Sequence, residues 1–453
     1  MQEFLDRLLA GIRGSQMLRL LVLCFWVLLL KIPAGMVESL VHERQQRRDE
    51  AVAEVSSKWG QTQAIDGPAL VIPFTRNWTE TLTDGRQVVR TATSRAVFLP
   101  ESLRVTGRID SRERNRGIFS VPVYTLDLLL EGEFARPDFS LLGAEPASID
   151  WEHAQLAVGI ADVRAIQEES RVIWNGQSLP LLPGTGDFKA AAGGVHALAA
   201  VNPEQESISF RVPLLLNGSQ SAWLTPSGKT TRVTLESNHP DPGFQGNWLP
   251  TSHSEGPEGF TADWTISWLG RNYPQAWQNN EVSATQLEQS RFGVQLVNPV
   301  DQYRMAGRSV KYSDLFILLT FASIWLMEVL GRIRVHGIQY LLLGAALCLF
   351  YLLELALSEH LGFALAYLLA SLSILGMVGG YALVMLRSPG RAGLLTAGVA
   401  LLYAYLYVVL GNEDSALLVG SIGLFLVLGL VMVTTRRVDW SRGAAAPPAG
   451  PPR

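Results

Sequence analysis

Residues 332–362 read RIRVHGIQYLLLGAALCLFYLLELALSEHLG. Arg332 and Arg334 open the stretch, an apolar run from Ile338 to Leu357 fills it, and Ser358-Glu359-His360 closes it without a lysine or arginine. About 20 apolar residues cover the ~30 Å hydrocarbon core of a bilayer as a helix. A basic or acidic side chain at mid-span costs about 2.5–3.5 kcal/mol on insertion, and short basic loops stay on the cytoplasmic side. The stretch therefore reads as a membrane span with its arginines in the cytoplasm and its acidic end outside.

Working outward, 361–386, 392–410 and 415–433 repeat the pattern. A shorter run, 315–330, carries Glu328 near its end and is flanked by Lys311, Tyr312, Trp325 and Arg332, residues suited to the interface. Glu328 is placed to snorkel or to pair with Arg332. Arginines recur in every second loop: Arg332 and Arg334, then Arg387 and Arg391, then Arg436, Arg437 and Arg442. The loops between them, 358–360 and Gly411-Asn412-Glu413-Asp414, have none. Strict alternation predicts a five-span bundle with a cytoplasmic C-terminus.

At the other end, 18–41 reads as an uncleaved signal anchor, since no small-residue cleavage site follows Leu20–Leu30. Residues 1–17 place Phe4, Leu5, Leu8, Leu9 and Ile12 on one helical stripe, suited to the cytoplasmic membrane surface. An even number of spans puts both termini in the cytoplasm. Arg44, Arg47 and Arg48 then fall on the outer side of the first span, against the rule.

Between the first span and the bundle, residues 42–311 look soluble. Glu43–Lys58 lacks Pro and Gly and extends the first helix outward, and strand signals follow. Phe260, Ala262, Trp264, Ile266 and Trp268 alternate with polar residues, as do Ile208, Phe210, Val212 and Leu214, the period-2 signature of a half-buried strand. One-sided strands of this kind belong to antiparallel sheets. Asp84-Gly85 and Asn175-Gly176 suit two-residue hairpins. The expected fold is a polytopic α-helical membrane protein of six spans with a large inserted, antiparallel β-rich domain, a β-sandwich or two fused ones. Its parts are 1–17 at the cytoplasmic surface, 18–41 as anchor, 42–311 as extracytoplasmic domain, 312–433 as bundle and 434–453 as a disordered Ala/Pro-rich tail.

Composition narrows function mainly by exclusion. A net charge of −4 and no basic cluster interleaved with aromatics argue against nucleic acid. Cys24 and Cys348, both inside apolar runs, read as small buried hydrophobes. No metalloprotease, nucleophile-elbow, Walker or Rossmann pattern occurs, so neither an enzyme nor a cofactor is expected. Leu182-Pro183-Gly184-Thr185-Gly186 matches a sortase signal as text but lies mid-domain, where a tight turn is expected. Histidines 153, 196, 239 and 253 are scattered at non-ligand spacings.

Two groups of residues remain as candidates. Trp248 and Trp277, in Pro/Gly/Asn-rich surroundings, are candidates for an exposed contact, whereas Trp264 and Trp268 are expected in the core. Ionisable groups in spans are functional hypotheses by default. Glu354 is placed about one turn from the outer end of its span, near Glu359 and His360 and across from Asp414. At the rim these serve a transporter less well than groups near the midplane would.

The chain also resembles a known family. The residues that carry the likeness in the membrane part are Asp301-Gln302-Tyr303, Gln339-Tyr340-Leu341-Leu342 with Gly344, Leu357-Ser358-Glu359-His360, Asp414-Ser415-Ala416 and Asp439-Trp440. In the soluble part they are Leu99-Pro100-Glu101-Ser102-Leu103, Pro183-Gly184-Thr185-Gly186, Gly194-Val195-His196 and Ser267-Trp268. Together, from about Arg44 to Trp440, they are similar to the CreD family of inner-membrane proteins. The resemblance implies a role in cell-envelope integrity and an envelope-stress response under a Cre two-component regulator, and it implies no catalytic residues. The expected partners are the lipid bilayer and a periplasmic protein or cell-wall component; a transporter or lipid-handling protein using the outer acidic groups is the alternative.

Overall fold

The computed structural model describes residues 16–81, 86–143, 145–296, 302–331, 333, 335–412 and 415–436. The stripe from Phe4 to Ile12 and the Ala/Pro tail lie outside them. The chain divides into two compact units, 49–299 and 1–48 with 300–453.

Helix α1 runs Gln16–Trp59, 44 residues, or about 66 Å at 1.5 Å per residue. Its length follows from the sequence, since after Pro33 and Gly35 no breaker occurs before Gly60. The polar half adds Glu43–Arg47 and Glu54–Lys58 pairs at i,i+4.

The unit 49–299 is one sandwich. A ten-stranded sheet centres on Gln63–Thr81, which pairs antiparallel with Gln87–Phe98 and Gln155–Ile160. An eight-stranded sheet centres on Ser102–Arg116, Phe119–Ala135 and Ser207–Ser219. A single buried cluster takes Leu70, Ile72 and Phe74 from the first sheet and Val105, Leu128, Val212 and Trp264 from the second. That shared core settles the choice between one sandwich and two. Burial alternates residue by residue along Ser207–Leu214 and Gly259–Ser267, as the polar–apolar alternation requires.

Three features depart from the sequence reading. Two strand pairs are parallel, Gln63–Ile65 with Ala222–Leu224 and Thr230–Ser237 with Ser102–Ile109. Trp268 leaves its strand to open a 3₁₀ turn and is partly exposed, so only Trp264 enters the core. The first sheet is covered on its other face as well, where Val71, Val97 and Ala157 pack under Phe188, Tyr273, Trp277 and Leu287, the last on the short helix α2, Ala284–Gln289. This double coverage explains the unbroken burial from Gln63 to Ile72.

Turn chemistry matches at Asn175-Gly176. Asn175 and Gly176 have φ of 48° and 79° and join Arg171–Trp174 to Gln177–Pro180, the positive pair that a type I′ hairpin needs. At Asp84-Gly85 the expected two-residue turn is not met: the last strand pair is Thr81↔Gln87, which leaves five residues between the strands, and residues 82–85 lie outside the described set. Gly184 and Gly186 also take positive φ, consistent with a tight turn at 182–186.

In the other unit, α3 (Gln302–Lys311) precedes α4 (Ser313–Gly331), α5 (Gly337–Leu361), α6 (Phe363–Leu386), α7 (Pro389–Gly411) and α8 (Ala416–Thr435). Together with α1, the last five are long and apolar enough to cross a membrane. Helix α5 is the most enclosed of the six, whereas α8 buries none of its residues. A Cβ at Gly344 would lie 2.2 Å from Leu30 and 2.9 Å from Phe321, so α1, α4 and α5 meet where only glycine fits. Cys348 is buried beside Leu30, whereas Cys24 is exposed on α1, contrary to its expected burial.

Candidate functional site

Residues 302–311, counted with the soluble section on sequence, form a helix that packs on the bundle. Tyr303, Ala306, Ser309 and Val310 share its buried face at helical spacing. From that face the Tyr303 hydroxyl donates to Glu359 Oε1 at 3.1 Å, and the Ser309 hydroxyl donates to Glu354 Oε2 at 2.8 Å. Arg308 donates from two nitrogens to the carbonyls of Val409 and Leu410, both at 3.2 Å. Those carbonyls belong to the last turn of α7, where the backbone lacks intrahelical donors and the helix dipole is negative.

Helix α1 reaches the same end of the bundle. Arg44 lies 3.6 Å from Glu359, whose side chain is only 8% exposed, and the Arg48 guanidinium sits 5.8 Å from the centre of the Tyr303 ring. The Tyr303 phenol is pushed up to about 12, first by burial and then by the Glu359 carboxylate. Arg47 pairs with Glu43. The arginines that ran against the inside-positive pattern thus lie at the end that carries the Lys/Arg-free loop 358–360, each with a partner.

Glu354 is not at a rim. Helix α5 continues to Leu361, two turns beyond Glu354, and α3 lies over the position, leaving the side chain 0% exposed. Among the described residues Ser309 is its one hydrogen-bond partner, and Oε1 has none. Around it stand Tyr351 on α5, Tyr367 on α6 and Tyr403 on α7, all within electrostatic reach. Phe350 meets Tyr403 tilted at 4.4 Å and Tyr367 edge-on at 5.3 Å, and the Tyr367 hydroxyl donates to the Tyr403 carbonyl at 2.7 Å. The Tyr403 hydroxyl is buried without a partner.

The remaining candidates separate. His360 is exposed, and Asp414 lies outside the described residues. Trp277 is 2% exposed on a strand of the first sheet, paired with Val97, so it offers no surface contact. Trp248 is half-buried: its ring meets Phe292 edge-on at 6.2 Å and its carbonyl accepts from the Trp264 indole, which makes it part of the sandwich edge. Glu328 is buried too, accepting from Tyr340 Oη at 2.9 Å and from the Val335 amide, and so fastens the loop between α4 and α5. Its expected partner Arg332 is outside the described residues.

Sequence reasoning missed Ser309, Tyr303 and Arg308. The signal was present in the Tyr303, Ala306, Val310 stripe directly before a span. Among the described residues no group of three or more His, Cys, Asp or Glu side chains is arranged to hold a metal.

Comparison with known proteins bears on the whole chain. A family model described as "Inner membrane protein CreD" matches residues 15–441. The chain belongs to the CreD family. It is 33% identical over 415 residues to the inner membrane protein CreD of Escherichia coli (strain K12), covering 91% of each chain. The match takes in α1, the sandwich and every helix of the bundle, so both units described above are features of a CreD protein.

Proposed function

We propose that this CreD-family chain is a non-enzymatic protein of the inner membrane that supports cell-envelope integrity and an envelope-stress response. In this reading both termini are cytoplasmic, the sandwich lies in the periplasm as a binding module for a protein or cell-wall partner, and the helix bundle anchors it. The carrying observation is a large sandwich inserted in the chain between one helix of membrane length, α1, and five more, α4 to α8. The alternation of basic and Lys/Arg-free loops supports the sidedness. No cofactor enters the reading.

Two experiments test it. Reporter fusions are expected to place residue 200 in the periplasm and residue 388 in the cytosol; the reverse overturns the compartment. A deletion strain complemented by the full chain, by the bundle alone or by a membrane-tethered sandwich is scored for envelope damage. The reading requires the sandwich for rescue, and full rescue by the bundle alone refutes it. The burial of Glu354 favours a second activity for the bundle.

A further inference from the structure

We infer that Glu354 is a proton-binding site inside the membrane bundle, closed by α3 as a lid. The carboxyl is wholly enclosed, receives a single hydrogen bond from Ser309, and leaves Oε1 unpartnered. An ionised carboxylate there would lose its hydration with no cation to replace it.

The charged and titratable groups on the surrounding elements are all engaged or directed elsewhere. On α3, Arg308 binds the α7 carbonyls, Tyr303 binds Glu359, and Arg304 and Lys311 are exposed. On α1, Arg44 is with Glu359, Lys31 holds Asp314 of α4 at 2.7 Å, and His42 is exposed. Glu328 of α4 binds Tyr340, and α6 and α7 present only the phenols Tyr367 and Tyr403, with Tyr351 and Cys348 on α5 itself. A proton is therefore the ligand that makes this site neutral.

The proton's route is set by the lid. Ser309 is the link between Glu354 and α3, and the other polar bonds of α3, through Tyr303 and Arg308, lie at the same end of the bundle. Lifting α3 opens Glu354 to water, where it ionises; reprotonation lets α3 settle again. Raising the pH shifts the population toward the lifted state, and lowering it toward the closed one.

The test uses the full-length protein in phosphatidylethanolamine/phosphatidylglycerol vesicles and dicyclohexylcarbodiimide, which partitions into the bilayer. The acid oxygen adds to the central carbon of the carbodiimide while the carboxyl proton moves to its nitrogen; the resulting O-acylisourea rearranges to a stable N-acylurea, with no leaving group. Peptide mass spectrometry is expected to find the adduct on Glu354, declining as pH rises, and not on Glu328, whose two oxygens are both bonded. A water-soluble carbodiimide should leave Glu354 untouched at low pH. Ser309→Ala, by favouring the lifted and ionised state, should move the decline in labelling to lower pH, and Glu354→Gln should abolish labelling. Glu354→Gln, the neutral isostere, should also melt at a temperature that no longer falls between neutral and alkaline pH, while the wild type's does. Absence of the adduct at every pH, or equal labelling by the water-soluble reagent, overturns the proton site; an unchanged pH dependence of labelling in Ser309→Ala overturns the lid. None of these outcomes depends on whether the sandwich binds a partner.

Discussion

Tyr303→Phe isolates the grip of α3 on the bundle. The substitution keeps the buried ring, which packs at 1% exposure under Arg48, and deletes only the hydroxyl that donates to Glu359 at 3.1 Å. A hydrogen bond to a charged group contributes about 1.5–3 kcal/mol. At 1.4 kcal/mol per factor of ten, the lifted population should rise roughly 10- to 100-fold. Because burial and Glu359 hold the phenol up at about 12, the bond is intact at neutral pH; the raised value favours the neutral form, so this contribution is present below 10 and lost as pH climbs through about 12. The assay places a cysteine at Val310, 4% exposed on the same face, in a chain with Cys24 and Cys348 replaced, and follows its reaction with a charged maleimide. When reclosing is faster than alkylation, the rate reports the open population. A change below about threefold would show that this contact does not hold α3, and the lid argument would lose its outer latch.

Three further expectations concern the sandwich and are read by tryptophan fluorescence of the full-length protein. Arg291→Leu strands Asp66, 5% exposed and otherwise bonded to Thr225; stranding a buried charge costs about 3–5 kcal/mol. For a unit of this size that lowers Tm by roughly 6–20 °C, and a drop under about 3 °C would contradict it. Gly176→Ala forces a side chain into φ 79°, at a cost of about 1 kcal/mol and roughly 2–4 °C in Tm, although a Cβ there meets nothing. Asp162 is raised by burial but brought below its ordinary 3.8 by Arg164 and the Gln61 amide, so its contribution is present above 3.8 and lost as pH falls below it. The gap in Tm between wild type and Asp162→Asn should therefore be constant near neutrality and close under acid; a constant gap throughout would count against the assignment.

Local pattern carried much of the architecture. Apolar runs marked the five long helices of the bundle to within a few residues, and alternation at 207–214 and 259–267 marked the faces of two core strands, because both signals are written in consecutive residues. Sheet order was not legible: Gln63–Ile65 lies beside Ala222–Leu224, a pairing across more than 150 residues that no local signal encodes. Trp277 shows the same limit from the other side. Its Pro, Asn and Gln neighbours read as a surface loop, but Ala276–Gln278 is a strand of the first sheet, paired with Ala96–Phe98, and the indole is buried on the sheet face that carries Val97.

Glu354 was misplaced for a related reason, and the error is informative. Measured along its own apolar run, it stands one turn from a polar loop, where a carboxylate can reach water at little cost. Two facts outside that run remove the water: α5 persists through Ser358-Glu359-His360, and a separate helix, with only half its residues apolar, covers the mouth. The acid held by Arg44 and Tyr303 is Glu359, the next glutamate along α5, whose side chain is itself only 8% exposed. Two glutamates five residues apart on one helix thus sit in opposite regimes, one paired with a cation and one with only a serine hydroxyl. Anchoring alone would be served as well by leucine at position 354, since the phenyl and phenol rings around it would close on an apolar side chain without the desolvation that a carboxyl incurs. What a carboxyl adds at that place is the ability to change charge, and α3 is the element whose position that change would move.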